Sequence, residues 1–371
     1  MYDLHEFLEP INVASFNNNK GYNDGQLANF ISAYEDELPD LEETDIVFVG
    51  IYGHETMKDS NASNAIRKQF YQLHYWHTDV QMADIGNIRS GATINDTYAA
   101  VKIVLAELLK MNKTVILLGG SHDITLAQYF AYKELQQIIE ASVIDATIDL
   151  RSESSIRSEN FLMEMLTSEP NFVKHYNHIG FQSYFVHPRM LETMDKLRFD
   201  CYRVGMAKDS IEEMEPVIRN TNLLSFDISA IKSGDAPANN CSPNGFSGEE
   251  ACMLTRFAGM STALSSMGIY GYDPGNDVNE LTAKQISQML WYFVDGKSRS
   301  KQEAVLEDKH NFNEYHTAFT DMDTTFVQSK KTGRWWMQLP DKKLIACSYK
   351  DYINASNNEI PERWLRAQER Q

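Results

Sequence analysis

The sequence predicts an α/β fold in which a mainly parallel sheet is covered by helices on both faces. Three observations carry that expectation. The apolar runs at 45–51, 114–118 and 223–228 are short and do not alternate with polar residues, as in strands buried on both sides. Stretches with helical spacing separate them, giving the strand–helix alternation of parallel sheets. The polar motifs fall where strands end, which is where open α/β sheets hold ligands.

Taken in order, residues 1–44 are polar, with Asn17-Asn18-Asn19 and an acidic run over 35–43. They are expected to form an irregular N-terminal arm with at most one short helix. Residues 45–51 read as a buried strand followed by Gly53. Over 62–73 the spacing is helical, with Ile66, Phe70 and Leu73 on one face and Ser60 or Asn61 as a cap. A short strand at 82–85 precedes a helix over 95–111 with a broad apolar face that includes Val101, Val104, Leu105 and Leu108. The strand at 114–118 leads into a helix over 124–139, and a strand over 141–144 follows. Further strands are expected at 178–181, 201–205, 223–228 and 267–270, with helices near 209–218, 248–265 and 282–293. The charged segment 296–308 reads as a linker. Beyond it, 325–339 and 344–349 read as strands, with a turn at Lys330-Lys331-Thr332-Gly333 and with Trp335 and Trp336 beside that turn. There are no internal repeats or low-complexity tracts.

The 371 residues are 43% hydrophobic and 23% charged, which describes a chain with a sizeable core. A formal charge of −18 repels nucleic acid and anionic membranes, so neither is expected as a partner. Cys201, Cys241, Cys252 and Cys347 form no CxxC pair or zinc-finger spacing, which suggests free thiols in a reducing compartment. The first residues lack the basic and apolar regions of a signal peptide, and no apolar run approaches a membrane span. A cytoplasmic protein is expected.

The stretch Asp145-Ala146-Thr147-Ile148-Asp149 follows an apolar strand. On an extended backbone Asp145, Thr147 and Asp149 would point the same way. Two neighbouring carboxylates repel unless a cation lies between them or both are solvated, and the stretch by itself allows either reading. Gly119-Gly120-Ser121-His122-Asp123 leaves one strand and enters a helix, with two glycines to bring His122 round to the strand's end. Leu224-Ser225-Phe226-Asp227-Ile228-Ser229 ends a third strand on Asp227, with Ser229 on the same side. Three strands that each end in a metal-competent side chain favour a metal site at one end of the sheet.

In that order and spacing, these three stretches resemble the GG-x-H, DAHxD and S-x-D-x-D blocks of the ureohydrolases, the family of arginases, agmatinases and formimidoylglutamases. Asn64-Ala65-Ile66-Arg67, Ile85-Gly86-Asn87 and Tyr272-Asp273-Pro274 add to the likeness, which runs from about 45 to 295. Asp149-Leu150-Arg151 and Gly180-Phe181-Gln182 look most like the formimidoylglutamase branch. The resemblance implies a three-layer sheet of about eight strands and an oligomer. It also implies two Mn²⁺ bridged by a hydroxide that attacks a guanidinium or formimino carbon.

The family's six metal ligands map onto His122, Asp145, Thr147, Asp149, Asp227 and Ser229. His122, Asp145, Asp149 and Asp227, which by resemblance hold the first ion, are kept. The ligands private to the second ion are replaced by Thr147 and Ser229, which are neutral and poor ligands for a divalent ion. The family's Glu three residues before a late proline, which engages the substrate's cationic nitrogens, is Gly271 here. His74 and His77, His175 and His178, and Asp273 are candidate replacement ligands, with surface or packing duty as the alternative for each. Arg151 could clamp a substrate carboxylate or pair with a nearby acid.

The expectation is therefore an arm (1–44), a ureohydrolase-like domain (45–295) and a β-rich C-terminal extension (296–371). The chain would bind at most one Mn²⁺, or none, and serve in binding or assembly through a protein partner of the extension. The alternative is a hydrolase of formiminoglutamate or a guanidino compound, with Asp149 handling the proton.

Overall fold

The computed structural model describes residues 2–52, 62–239, 241–320 and 322–370. Gly53, Ser60 and Asn61 lie outside the described residues. The strands are β1 (Leu8–Glu9), β2 (Ile31–Ala33), β3 (Ile46–Ile51), β4 (Met82–Ile88), β5 (Thr114–Leu118), β6 (Ile139–Ile144) and β7 (Val173–Phe181). They continue with β8 (Asp200–Arg203), β9 (Leu223–Asp227), β10 (Ser266–Tyr270), β11 (Phe312–Phe319), β12 (Met322–Ser329), β13 (Trp335–Gln338) and β14 (Leu344–Cys347).

The first ten form one sheet in the order β1-β4-β3-β5-β10-β9-β6-β7-β8, with β2 also on β4. β1 runs antiparallel, and the other pairings in this sheet are parallel. Side chains alternate between faces along each strand, so one set of residues builds two cores. Phe48, Ile116, Phe226 and Ile269 face the helices Ala62–Phe70, Gly248–Met260 and Leu281–Ser300. Val47, Val115, Leu117 and Leu223 face Ile94–Lys110, Ile124–Glu134 and Phe161–Thr167. The eight expected strands and the three-layer architecture are present.

The N-terminal arm is more ordered than its composition suggests. β1 and β2 are two and three residues long and pair along the outer edge of β4, with Leu8 opposite Ile88 and Ile31 opposite Met82. So short a strand carries no legible periodicity, and its partner determines it.

The segment from 296 is not a linker throughout, because helix Leu281–Ser300 continues through Gly296. A Cβ at Gly296 would lie 2.2 Å from the Arg256 carbonyl, and one at Gly259 would lie 2.1 Å from the Phe293 carbonyl. The absence of both side chains lets the two helices cross at backbone contact.

The C-terminal sheet, in the order β11-β12-β13-β14, is antiparallel. Helices Tyr349–Ser356 and Glu362–Glu369 pack against it. Trp335 and Trp336 are each only 7% exposed, so this pair is not available to a partner. Trp335 stacks on Tyr352 at 5.0 Å between centroids. Trp336 lies beneath the Arg219 guanidinium at 4.6 Å. Arg219 Nη1 donates to the Trp335 carbonyl at 2.5 Å, and Arg334 lies 2.8 Å from Glu303 and 3.5 Å from Glu215. Arg366 and Arg370 both reach Asp200 on β8, the edge strand. The extension thus packs on the ten-stranded sheet's domain through paired charges, buried at Arg219 and Arg334 and partly exposed at the β8 edge, where Arg366 and Arg370 meet Asp200.

Arg67 ties together two of the motif blocks. It is 1% exposed, with Nε 2.7 Å from Asp84 Oδ2 and Nη2 2.8 Å from the Gly86 carbonyl. A buried guanidinium is tolerated only when its donors are met, and here a carboxylate, a carbonyl and Asn87 Oδ1 meet them.

Candidate metal centre

β5, β10, β9 and β6 are adjacent and parallel, so the segments leaving them emerge side by side at one end of the sheet. These segments carry His122, Gly271, Asp227 with Ser229, and Asp145 with Thr147 and Asp149. Gly119 and Gly120 sit at φ +86° and +85°, a left-handed turn that L side chains resist, and this turn swings His122 over the strand ends. β6 ends at Ile144, and 145–149 bends away from the sheet rather than continuing extended. The alternation expected there does not hold; the bend itself brings the side chains together.

His122 is the hub. Its Nδ1 lies 2.9 Å from Asp149 Oδ2, 3.4 Å from Asp145 Oδ2 and 3.9 Å from Asp227 Oδ2. Ligand atoms of His122, Asp145 and Asp149 all lie within 4.8 Å of one another. The other ring nitrogen, Nε2, is 3.0 Å from Ser225 Oγ, which is 2.7 Å from Thr125 Oγ1. Ser225 on β9 thereby fixes the ring with Nδ1 toward the carboxylates.

The two hydroxyl positions join the same cluster. Thr147 Oγ1 lies 3.1 Å from Asp145 Oδ2 and 3.2 Å from Asp149 Oδ1, so one hydroxyl hydrogen serves both. The Ser229 hydroxyl donates to Asp145 Oδ1, and its backbone N–H donates to Asp227 Oδ1 at 2.8 Å. Asp227, Ser229, Asp145, Thr147 and Asp149 form one continuous chain of hydrogen bonds.

Burial pushes each carboxyl here toward its neutral form. At Asp149 burial and the charge of Asp145 prevail, and its pKa is raised to about 7. Asp227 is raised too, by burial and by Asp145, against the pull of His122. At Asp145 burial loses to the hydrogen bond and charge of His122, and the carboxyl is held well below its usual range. Burial disfavours the His122 cation, but Asp145 and Asp149 outweigh it and raise the imidazole well above its ordinary value. Three carboxyls share one imidazolium, an excess of negative charge that a divalent cation relieves. One imidazole nitrogen with several carboxylate oxygens is a donor set that suits Mn²⁺. The neighbouring positions Thr147 and Ser229 bring only neutral hydroxyls, and both are hydrogen-bonded to Asp145.

Residues 45–295 match the family model described as the arginase family. The chain belongs to the arginase family. A formimidoylglutamase of Staphylococcus haemolyticus (strain JCSC1435) is 23% identical over 243 residues, 62% of this chain and 76% of that protein. One from Staphylococcus epidermidis is 31% identical over 111 residues, 29% of this chain and 36% of that protein. Among solved structures, a Trypanosoma cruzi formiminoglutamase with Mn²⁺ has a TM-score of 0.66 at 17% identity, covering 74% of this chain and 99% of that one. The formimidoylglutamase of Bacillus subtilis has a TM-score of 0.64 at 16% identity, covering 77% of this chain and 99% of that one. The ureohydrolase resemblance and the arginase-like fold are both borne out.

Within this arginase-family fold, the other candidates fall away from the cluster or do not offer it ligand atoms. His77 lies 3.4 Å from Asp295. His175 and His178 sit on β7, and positions three apart on a strand face opposite ways. His175 pairs with Asp200 at 3.1 Å, and His178 Nε2 is 3.3 Å from the Asp145 carbonyl. Burial pushes His178 down to about 4, which keeps it neutral. Asp273 caps a short turn, accepting from Gly275 N at 2.9 Å. Arg151 lies 3.4 Å from Glu159 and is half-exposed.

Two relationships were not visible in the motifs. Ser225 belongs to the third block, two residues before Asp227, but only its contact with His122 gives it a role. Gly271 has φ +79°, and a Cβ there would lie 2.6 Å from Asp227 Oδ2. A side chain at this position would meet the Asp227 carboxylate.

Proposed function

We propose that this chain is a single-ion member of the arginase family that binds one Mn²⁺ and has lost ureohydrolase turnover, serving in binding or assembly. The observation that carries this reading is the division of the six ligand positions. His122, Asp145 and Asp149 bring ligand atoms within 4.8 Å of one another, with Asp227 3.9 Å from His122, whereas Thr147 and Ser229 bring only neutral hydroxyls. Gly271 against Asp227 supports it, since the position that would hold a cationic substrate carries no carboxylate. Residues 45–295 would form the domain of this function, with 1–44 as its arm and 296–371 as its extension. Four free cysteines support a reducing, cytoplasmic setting, and among the described residues no helix is long and apolar enough to cross a membrane. A homo-oligomer is part of the reading, by analogy with the family.

Elemental analysis after purification with and without added Mn²⁺ tests it. One ion per chain is expected, with no release of urea, ammonia or formamide from a panel of guanidino and formimino compounds. Manganese-dependent turnover on that panel would replace this reading with a second one, a hydrolase of formiminoglutamate or a guanidino acid. The observation favouring the second is that the complete first-ion set survives around an oriented His122. A bound Mn²⁺ would supply Lewis-acid activation of water. Asp149 would handle the proton, and Arg151 would reach a substrate carboxylate.

A further inference from the structure

Resting on the single-ion reading, we infer that Thr147 and Ser229 form a built-in hydroxyl clamp that balances the charge of Asp145 in place of a second cation. A residue that has merely lost its ligand would leave the carboxylate it once faced without a partner. Here both oxygens of Asp145 are met. Ser229 donates to Oδ1, and Thr147 lies 3.1 Å from Oδ2. Each hydroxyl residue also spans to a second carboxylate, Thr147 to Asp149 Oδ1 at 3.2 Å and Ser229, through its backbone, to Asp227 Oδ1 at 2.8 Å. The Ser229 oxygen in turn lies 3.4 Å from the Ala146 amide, which anchors it between β9 and β6.

The clamp has a consequence that simple decay does not. Asp145 is 2% exposed, so removing these donors leaves its buried charge to His122 alone, which Asp149 and Asp227 also draw on, when no ion is present. With an ion bound, the cation itself compensates that charge. Losing the clamp therefore harms the metal-free protein more than the loaded one, and linkage makes the stabilisation by Mn²⁺ larger.

The experiment compares the wild-type chain, Ser229→Ala, Thr147→Val/Ser229→Ala and Ser229→Thr, each melted in EDTA and in excess Mn²⁺, with bound metal counted in parallel. The expected result is a melting temperature in EDTA lowered by several degrees in the two clamp-deficient variants. Their gain on adding Mn²⁺ should exceed the wild-type gain, while Ser229→Thr, which keeps a hydroxyl, should follow the wild type. Ser229→Ala alone decides the matter if the double variant does not fold. A gain no larger than wild type in the clamp-deficient variants, with one ion still bound by the wild type, overturns the clamp and leaves the single-ion reading intact. A wild type that takes up no Mn²⁺ and shows no thermal shift defeats the single-ion reading itself, and the clamp with it.

Discussion

The Ser229 hydroxyl donates to Asp145 Oδ1 across 84 positions of sequence. Ser229 follows β9 and Asp145 follows β6, and those strands are neighbours in register, with Ile144 opposite Phe226. On the single-ion reading, this places a hydroxyl donor against Asp145 at a position that by resemblance would carry an acidic ligand.

His122→Asn should abolish Mn²⁺ uptake, because Asp145, Asp149 and Asp227 all converge on that one imidazole. It should also destabilise the ion-free protein by about 3 kcal/mol or more, since buried carboxylates lose their cationic partner. Calorimetric titration with Mn²⁺ and urea denaturation would measure the two effects. Retained binding at wild-type affinity would mean that the ion sits elsewhere.

Ser225→Ala should weaken Mn²⁺ binding by about 10-fold or more without altering the fold, because outer partners orient ligating imidazoles. Ser225 is fully buried and 3.0 Å from His122 Nε2, so the change removes little but that contact and the bond to Thr125. Ser225→Thr should recover part of the loss. Equal affinities in all three proteins would show that the ring is held by other means.

Gly271→Glu should destabilise the protein. The backbone sits at φ +79°, and the new Cβ would start 2.6 Å from Asp227 Oδ2. Positive φ and the close approach together predict a loss of about 2–3 kcal/mol. Chemical denaturation reads it directly, and a variant as stable as wild type would contradict the packing described for this turn.

Docking of the C-terminal helix Glu362–Glu369 should weaken in acid. Burial would raise the Asp200 carboxyl, but the hydrogen bond from His175 and the charges of Arg370 and Arg366 hold it below its usual value. A lowered carboxyl pKa contributes stability above the unfolded value of about 3.9, and that contribution fades as pH falls through the folded value. Asp200→Asn should reproduce the acid effect at neutral pH, at a cost of about 1–2 kcal/mol. Faster hydrogen exchange over 362–369, relative to the ten-stranded sheet, is the expected signature. Unchanged exchange in the variant would assign the docking to Arg363, which is 2.8 Å from Glu213.

The sequence by itself determined the eight strands from β3 to β10, their parallel arrangement and the end of the sheet where the chemistry gathers. It also determined which side chains just past those strands are ionisable and which are not. Those properties follow from local pattern: unbroken apolar runs, helical spacing between them, and polar residues just past each strand. Tertiary structure alone decided the rest. β1 and β2 exist because β4 offers an edge, and helix Leu281–Ser300 passes through Gly296 because another helix needs that space. Trp335 and Trp336 are buried because Tyr352 packs on the first and the Arg219 guanidinium on the second. The roles of Ser225 with His122, of Gly271 with Asp227, and of Ser229 with Asp145 depend on strands distant in sequence becoming neighbours. Such contacts are set by strand order and register, and neither is written in the residues nearby.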